Sequence, residues 1–504
     1  MSARYDSEPA AGTSHPDSAL PLPNWHVPLP VDSGKLKVMT DSSTPPRRQV
    51  LRRSGGSSSH SPRVLLLTSG LGFGHVRAAH AIQAAIEAMP LRQPVHVDTL
   101  DLWSLMNPGV AAICHHTYLR LVQEYPQLYE RLYQLDEHTW RQILQSEDGP
   151  PAAVLEVLEL ISGITASAPA PAIRSLRYSS DRLLLPLLCH VLPYESASLA
   201  GNGVKARLAL MKWTWLMLVK RIEGVIRDAR PDVIVCTQMI PAAMVSALKS
   251  RRRLRAPAIG VLTDFGTHDF WIQPGIDRYC VAHESLTSQF GTRERDVTGT
   301  GVPLMPGFTN PVPQIEARRQ LGLPETGPIV LVLGGGLGLS VDSIAAQLLA
   351  QPLNALLLIV PGQNRAAEAN LATLQKQHPG RMRVSGWTER MDLYMRAADI
   401  IVGKPGGISV AEALACGRPL FATRSLGGQE GFNVNFLQRH GVGALVDESE
   451  LPHRIQSLVD QPQVLAEVQR LAWALGNRNG ATRIAELALD LCAAGQAPAV
   501  VRSY

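Results

Sequence analysis

Three glycine-rich segments of the 504-residue sequence have residue types that could do chemistry. The first is Ser69-Gly70-Leu71-Gly72-Phe73-Gly74-His75, where glycines precede a histidine. Glycine lets a backbone approach a ligand closely, and an imidazole that titrates near neutral pH can take a proton from a hydroxyl group. The segment predicts a ligand-facing loop with His75 as a candidate base. A ligand-free tight turn with a structural histidine fits the same pattern.

The other two segments are candidate phosphate sites. Gly334-Gly335-Gly336-Leu337-Gly338-Leu339-Ser340 lacks the Lys-Ser/Thr ending of a P-loop, which disfavours ATP hydrolysis. In Lys404-Pro405-Gly406-Gly407-Ile408-Ser409, a helix that begins near Ser409 would direct N–H groups and its positive dipole end at a diphosphate. Glu412 follows in that helix and could accept hydrogen bonds from a ribose diol, or it could cap the helix.

The sequence offers no recognisable metal site. It contains no D-x-D motif and no histidine–cysteine cluster with zinc spacing, so we predict no metal and no cofactor. The cysteines form no C-x-x-C pair and several lie in strand-like runs, which indicates buried free thiols in a reducing compartment. The six cysteines are Cys114, Cys189, Cys236, Cys280, Cys416 and Cys492.

Strands and helices alternate around these loops, which is typical of parallel sheets with helices on both faces. The strand-like runs are RVLLLTSG, PVHVDTLDL, DVIVCTQ, AIGVLTD and RYCVAH, then PIVLVLGGGLG, ALLLIVPG, RMRVSGW, IIVGKPGG, RPLFATR and GALVDE. The proline-rich stretch from Pro303 to Pro313 separates the two sets. We predict an α/β fold of two facing Rossmann-like domains with a cleft between them, where ligands meet the carboxyl ends of the strands.

The predicted domain boundaries follow these breaks in composition. They are a disordered Pro/Ser/Gly-rich tail over 1–61, an N-terminal domain over 62–308, a C-terminal domain over 309–470 and a helical segment over 471–504 that packs back across the linker. From 103 to 230 the pattern is mostly helical. Near its end, Trp215, Leu218, Val219, Ile222, Val225 and Ile226 share one helical face.

Bulk composition indicates a globular protein with 45% hydrophobic and 18% charged residues. The net charge of +5 suits an anionic membrane surface, whereas the low aromatic content of 5% argues against a nucleic-acid partner. No apolar run approaches the ~20 residues that span a bilayer, and no apolar segment follows the first charges as in a secretory signal. We therefore expect a cytoplasmic protein that associates peripherally with the cytoplasmic face of a membrane.

Taken together, these segments resemble the monogalactosyldiacylglycerol synthase and processive diacylglycerol glucosyltransferase family, related to the N-acetylglucosaminyltransferase that converts lipid I to lipid II. The most specific matching segment is KPGGISVAEAL at 404–414, together with its distance from the glycine–histidine loop. It lies within the longer segment VSGWTERMDLYMRAADIIVGKPGGISVAEALACGRPL (384–420), and the other segments, in family order, are GLGFGHVRAAHAI (70–82), RPDVIVCTQMIPAAMV (230–245), VLTDFGTHDFWIQPGIDRYCVAHES (261–285), TGTGVPLMPGF (298–308), VLGGGLG (332–338), VPGQN (360–364) and GGQEGFNVNFL (427–437).

The resemblance implies a GT-B fold and an inverting, metal-independent transfer of a sugar from a UDP-sugar to a lipid, foremost diacylglycerol. His75 would be the general base, Ser409 and the glycines before it would face the diphosphate, and Glu412 the ribose. The donor-binding residues it implies are Gly74, Gly334, Gly335, Gly336, Gly338, Asn364, Gly386, Trp387, Lys404, Gly406, Gly407, Ile408, Ser409, Glu412, Gln429, Glu430 and Asn433. Within this set, the backbone around Gly386 and Trp387 would read the uracil, and Gln429 and Glu430 would meet the sugar hydroxyls.

The acceptor side is implied to include Asp264 and Trp271. A lipid acceptor also requires docking at an anionic membrane surface. An aromatic–basic surface of Trp103, Lys212, Trp213, Trp215, Lys220 and Arg221, with the added positive charge of Arg251–Arg253 and Arg255, would provide it. Alternatively these tryptophans are core residues and the arginines a solvated loop.

Three other functions remain open from the sequence. One is transfer to a polyprenyl-diphosphate-linked cell-wall precursor by the same fold. Another is a UDP-sugar epimerase, and the third is a degenerate nucleotide-binding module.

Overall fold

A computed structural model describes residues 61–70, 73–106, 111, 216–335, 341–362, 364–423 and 428–496. The predicted tail up to residue 60, most of the helical region predicted over 103–230, and the last eight residues of the chain lie outside the described residues. So do several of the candidate site residues named above, namely Lys212, Trp213, Trp215, Gly336 and Gly338. None of the helices in the described ranges is long and apolar enough to cross a membrane.

The first sheet contains six parallel strands in the order β2-β1-β3-β4-β5-β6. They are β1 (Arg63–Thr68), β2 (His96–Asp101), β3 (Val233–Cys236), β4 (Ala258–Val261), β5 (Arg278–Cys280) and β6 (Val297–Thr298). Five of these coincide with predicted runs. The sequence analysis missed β6 because a two-residue strand has no apolar run to reveal it.

In the described ranges, three helices accompany this sheet in chain order: α1 (Phe73–Ala88), α2 (216–229) and α3 (Met239–Ser250). The predicted apolar face of α2 is confirmed where it is described, because its members turn to the core. Four of them are buried, namely Leu218, Val219, Ile222 and Ile226. Short 3-10 helices cover Leu102–Leu105, Asp269–Trp271 and Glu284–Asp296.

The second sheet also contains six parallel strands, in the order β12-β11-β10-β7-β8-β9. They are β7 (Ile329–Leu333), β8 (Leu356–Val360), β9 (Met382–Val384), β10 (Ile400–Gly403), β11 (Leu420–Ala422) and β12 (Gly443–Leu445). All six match predicted runs. Counted from β7, this is the 3-2-1-4-5-6 order of a dinucleotide-binding sheet.

Nine helices connect and flank these strands in the described ranges. They are α4 (Pro306–Thr309), α5 (Gln314–Gln320), α6 (Val341–Ala350), α7 (Arg365–Gln377), α8 (Met391–Ala397), α9 (Gly407–Ala415), α10 (Gln429–Arg439), α11 (Leu451–Val459) and α12 (Pro462–Leu475). We call β1–β6 with their helices the first unit and β7–β12 with theirs the second unit.

The last helix, α13 (Gly480–Gln496), returns to the first unit. Its apolar residues share one buried cluster with strands β1, β3, β4 and helix α1. The α13 members of that cluster are Ile484, Ala485, Ala488 and Cys492, and its strand members include Val64, Leu66, Val233 and Ile259. The expectation that the C-terminal helical segment packs back across the linker is confirmed.

The predicted α/β class with two Rossmann-like parallel sheets is confirmed. In such sheets a ligand binds where the strand order reverses, beyond the carboxyl ends of two strands whose connections run in opposite directions. That point lies between β1 and β3 in the first sheet and between β7 and β10 in the second. The glycine–histidine loop follows β1, and the two other glycine segments follow β7 and β10.

The cysteine prediction is confirmed for the described residues. Cys236, Cys280, Cys416 and Cys492 are free and buried, whereas Cys114 and Cys189 lie outside the described ranges. Burial raises the pKa of the Cys280, Cys416 and Cys492 thiols to about 12, which keeps them protonated and unreactive.

Candidate active site

His75 is the third residue of α1 and is held over the carboxyl ends of β3 and β4. Thr237, which directly follows β3, donates its hydroxyl to the His75 carbonyl oxygen at 3.0 Å. The imidazole Nδ1 lies 3.3 Å from the hydroxyl of Thr263, in the loop after β4. Both contacts come from strand ends near the switch point, so the sheet fixes the position of the imidazole.

The protonation of His75 is set by burial and by a neighbouring carboxylate. Burial lowers the pKa of His75 below its usual 6.5, although the charge of Asp264 and the contact with Thr237 raise it. The imidazole is therefore neutral at pH 7 and can accept a proton. Burial raises the pKa of Asp264, against the opposing effects of Asn433, His75 and the N–H of Gly407.

The turn after β10 starts α9 earlier than predicted. Gly406 is the N-cap residue and Gly407 the first helical residue, two positions before Ser409. Glu412 is consequently the sixth helical residue, too far into the helix for the capping role that the sequence left open, since a capping box uses the third. This leaves Glu412 available for another function.

Gly407 lies at a close contact between the two units. A Cβ atom on Gly407 would lie 1.9 Å from the carbonyl oxygen of Thr263 and 2.7 Å from Oδ1 of Asp264. The Gly407 N–H donates a hydrogen bond to the Asp264 carboxylate. The positive end of α9 thus meets an anionic group, as a helix N-terminus favours, and the group comes from the loop that also contacts His75.

Asn433 on α10 joins the same loop to the turn after β10. Its Oδ1 accepts from the Phe265 N–H at 2.7 Å, and its Nδ2 donates to Oδ1 of Asp264 and to the carbonyl of Pro405, both at 2.9 Å. The side chain is fully buried. Its amide is engaged within the protein, so the structure gives Asn433 a positioning role in place of the predicted direct donor contact.

Glu412 is buried and paired across the units. Its Oε1 lies 2.8 Å from Nη2 of Arg77 on α1. Burial raises the pKa of Glu412 to about 7, with Asp392 adding to the rise and Arg77 opposing it. The group predicted to bind ribose therefore titrates near neutral pH.

Further contacts bring other predicted residues to this place. A Cβ on Gly74 would lie 3.1 Å from Cγ1 of Ile408, so the starts of α1 and α9 touch. Nζ of Lys404 lies 3.3 Å from Oε1 of the buried Glu430, which follows Gln429 at the start of α10. These residues, with His75, Asp264 and Glu412, form one connected group, which we call the α1–α9 junction.

The remaining predicted donor residues line the same edge of the second sheet. Gly334 and Gly335 directly follow β7, and Gly335 has φ of 63°, which only glycine adopts readily. Asn364 precedes α7 and caps it by accepting from the Ala367 N–H at 3.1 Å. Gly386 and Trp387 follow β9, and Trp387 is 56% exposed. These positions agree with a nucleotide pocket, and their roles stay predictions.

The predicted acceptor and membrane residues divide between core and surface. Trp271 is only 6% exposed and packs in the main core, so its burial removes the indole from the predicted lipid-contact surface. Trp103 is half-buried and its indole N–H donates to Oγ of Ser69 at 2.8 Å, which attaches it to the glycine–histidine loop.

The basic run at the end of α3 is exposed, as a docking surface requires. Arg251, Arg252, Arg253 and Arg255 are all exposed, and Arg253 pairs with Glu223 of α2 at 3.1 Å. Lys220 of α2 is exposed as well. Arg221 is half-buried and donates to the Leu105 carbonyl oxygen, which turns it away from the predicted surface.

Sequence reasoning missed Arg77 and Thr263. Arg77 stands two residues after His75 in a segment that is otherwise rich in alanine, and this isolated charge was a usable signal. Thr263 carried no signal, because its contacts with His75 and Gly407 join positions that are far apart in the chain. Among the residues that the structure describes, no three His, Cys, Asp or Glu side chains are grouped as a metal ion would need.

Comparisons with known proteins give two family matches on either side of residues 305–328. The monogalactosyldiacylglycerol (MGDG) synthase model matches residues 202–304, and the glycosyltransferase family 28 C-terminal domain model matches residues 329–472. These matches confirm the resemblance drawn from the motifs.

Two similar curated proteins are both named processive diacylglycerol beta-glucosyltransferase. The protein from Bacillus pumilus (strain SAFR-032) is 30% identical over 236 residues, which are 46% of this chain and 61% of the relative. The protein from Bacillus subtilis (strain 168) is 27% identical over 257 residues, 50% of this chain and 66% of the relative. The chain therefore spans less than two thirds of either relative.

Solved structures match over most of the chain at low scores. MurG from Acinetobacter baumannii has a TM-score of 0.47 and 13% identity, covering 85% of this chain and 99% of that chain. UDP-GlcNAc 2-epimerase from Neisseria meningitidis, bound to UDP-GlcNAc, has a TM-score of 0.44 and 12% identity, covering 86% of this chain and 100% of that chain.

Proposed function

We propose that this protein is an inverting glycosyltransferase that moves a sugar from a UDP-sugar to a lipid hydroxyl, foremost that of diacylglycerol, without a metal ion. The two family matches and the names of the Bacillus relatives support the reaction class and the lipid acceptor. The donor would lie at the switch point of the second sheet, where Gly335 and the turn after β10 offer backbone N–H groups.

The observation that carries this proposal is the contact between the starts of α1 and α9, which places a neutral imidazole beside a helix N-terminus. In the proposed reaction His75 takes the proton of the acceptor hydroxyl while the oxygen attacks C1 of the sugar. The bond from C1 to the β-phosphate oxygen breaks, its electron pair leaves with UDP, and the configuration at C1 inverts. One proton and one glycosyl group are transferred, so the step balances without another reactant.

Electrostatics would stabilise both charges that develop. The first-turn N–H groups of α9, those of Ile408 and Ser409 beside the one that Gly407 gives to Asp264, would face the departing diphosphate. The Asp264 carboxylate would stabilise the imidazolium that His75 becomes, because a nearby negative charge favours the protonated ring. Gln429 and Glu430, with Lys404 alongside, would contact the sugar hydroxyls.

Donor and acceptor are tested together by incubating the full chain with separate UDP-sugars. Each reaction contains either diacylglycerol or a polyprenyl-diphosphate-linked sugar, and the lipid phase is analysed by mass spectrometry. We expect a hexosyl-diacylglycerol, and activity should persist in EDTA. Product on the polyprenyl acceptor alone would select the cell-wall alternative. Conversion of the UDP-sugar without acceptor would select an epimerase, and no binding of any UDP-sugar would contradict the proposal.

The proposal includes peripheral docking at the cytoplasmic face of a membrane through the basic run after α3. The test is co-sedimentation with phosphatidylglycerol vesicles and with phosphatidylcholine vesicles. We expect binding to the anionic vesicles that falls in a variant with Arg251, Arg252 and Arg255 replaced by glutamine. Replacement of Arg92, exposed elsewhere on the first unit, is the control. Equal, weak sedimentation with both vesicle types would contradict membrane docking.

A further inference from the structure

The ion pair between Arg77 and Glu412 at the α1–α9 junction has no role in the proposed reaction. Arg77 lies on α1 in the first unit, and Glu412 lies on α9 in the second, with 2.8 Å between Nη2 and Oε1. The Glu412 side chain is 4% exposed and that of Arg77 is 39% exposed. The carboxylate is thus buried while its cationic partner reaches it from the surface.

A buried carboxylate needs a partner to remain charged. Since burial is the main cause that raises the pKa of Glu412 to about 7, a nearby cation decides whether the group is ionised at neutral pH. Arg77 is the cation that opposes this rise. A guanidinium bound to Oε1 leaves Oε2 of the same carboxylate available as an acceptor.

We propose that Arg77 is a positioning residue for the donor, which holds Glu412 charged and oriented from the opposite unit so that the carboxylate can accept hydrogen bonds from the ribose hydroxyls. The proposal rests on the function proposed above, because it assumes a UDP-sugar at α9. It adds that recognition of the ribose depends on both units together.

Two other titratable groups near Glu412 in the described ranges, Asp392 and Cys416, do not favour its ionisation. Asp392 on α8 raises the pKa of Glu412, and Arg390 pairs with Asp392 at 3.0 Å. Cys416, which caps the end of α9, has a pKa raised to about 12 and is uncharged at neutral pH. Without Arg77, the negative charge of Asp392 and burial both favour the protonated carboxyl.

The direction of the pH effect follows from these charges. In the wild type, Glu412 loses its charge as the pH falls through about 7, so donor binding weakens on the acid side. Removing a cation this close raises a carboxyl pKa by about one to three units. In Arg77→Met, Glu412 would be mostly protonated at pH 8, where the wild-type group is charged.

The experiment measures binding of UDP-glucose to the full chain by calorimetry between pH 6 and 8.5. UDP-glucose is chosen because its diphosphate is esterified at both ends and does not titrate in this range. The variants are Arg77→Met, Arg77→Gln, Arg77→Lys, Glu412→Gln and the double variant Arg77→Met/Glu412→Gln. Arg92→Met, which removes an exposed cation elsewhere in the first unit, is the matched control.

We expect Arg77→Met and Arg77→Gln to bind about five- to tenfold more weakly at pH 8 and less than about twofold more weakly at pH 6. Arg77→Lys should keep most of the wild-type affinity. Glu412→Gln should bind weakly with no pH dependence, and the double variant should match it, because Arg77 would act through Glu412 alone.

Two results would overturn the proposal. Equal loss of affinity at every pH in the Arg77 variants would indicate a role only in holding the units together. Wild-type affinity in Arg77→Met at pH 8 would show that Glu412 needs no cation. If the wild-type chain binds no UDP-glucose, the proposed function fails instead, so the two failures are distinguishable.

Discussion

The starts of α1 and α9 are built alike and stabilised differently. Each follows a strand at the switch point of its sheet and a glycine-rich turn. The turn before α1 is anchored within its own unit, because Oδ1 of Asp101 accepts the Gly70 N–H at 2.9 Å and Trp103 donates to Ser69. The first N–H of α9 instead donates to Asp264, a residue of the opposite unit.

The difference indicates a division of labour between the two helices. An anchored turn suits α1, since a base must keep its ring in one place. The carboxylate partner of the α9 N-terminus, Asp264, belongs to the first unit. This arrangement suits α9, because Asp264 can move relative to the helix when the units move. Under the proposed function, the base on α1 and the anion-binding end of α9 would meet only when both units are in contact.

The largest expected effect comes from removing the imidazole of His75 on α1. His75→Ala should reduce kcat by about 100-fold or more, the usual contribution of a general base, while binding of UDP-glucose stays within about twofold. Glycolipid formation and calorimetry measure the two quantities. Turnover close to wild type would exclude His75 as the general base, and α1 would then have no catalytic role.

The next largest effect should come from adding a side chain at Gly407, where α9 lies close to Thr263. Gly407→Ala would place a methyl group against the Thr263 carbonyl, so the units must separate, and a displacement of about 1 Å can reduce turnover on the order of 100-fold. Gly224→Ala in α2 is the matched control, because its Cβ position meets only the end of the Arg227 side chain, at 3.9 Å, and it lies outside the proposed donor site. Equal activity of the two variants would contradict a contact between the units during catalysis.

A smaller effect, on the free energy of unfolding, should follow from removing the buried side-chain amide of Asn433, which links the two units. Asn433→Ala removes three hydrogen bonds and leaves the Phe265 N–H without its acceptor, so the free energy of unfolding should fall by about 2–3 kcal/mol. Asn435→Ala, at an exposed position on the same helix, should change it by less than about 0.5 kcal/mol. Urea unfolding measures the free energy of unfolding of both variants. Equal values for the two variants would show that the Asn433 hydrogen bonds contribute little to stability.

The smallest expected effect is a difference in pH dependence between donor binding at α9 and turnover at His75 on α1. The donor KM should rise up to about tenfold as the pH falls through about 7, because Glu412 on α9 becomes protonated. At saturating donor, kcat should persist to lower pH, since burial holds the pKa of His75 below 6.5 and the imidazole stays neutral until then. Steady-state kinetics from pH 5.5 to 8.5 measure both curves. A fall of kcat centred above pH 6.5 would contradict this assignment.

Much of the fold was predictable because short strand-like runs alternate with helical patterns along the chain. Eleven of the twelve described strands coincide with such runs, and only β6, with two residues, lacked one. The start of α9 was predicted two residues late, because local patterns do not reveal that Gly407 is already helical. Helix boundaries depend on contacts, here with Thr263, that the local sequence does not contain.

Motifs located the site residues but not their partners. His75, Asp264, Lys404 and Glu412 were found, and the structure brings them to one junction. The engagement of Asn433 within the protein and the ion pair of Arg77 depend on which segments meet across the units, and the burial of Trp271 depends on long-range packing in the core. Such long-range pairings leave no periodic or local signal, and this explains why these three differed from expectation or were missed.

The return of α13 to the first sheet has a consequence for the order of folding during synthesis. Ile484 and Ala488 complete a cluster that Val64 and Leu66 form with α1, so this part of the first unit's core is completed only after the second unit has been synthesised. The second unit can close its own core earlier, because all its strands lie between Ile329 and Leu445. Although it starts later in the chain, the second unit is therefore the one that can finish folding first.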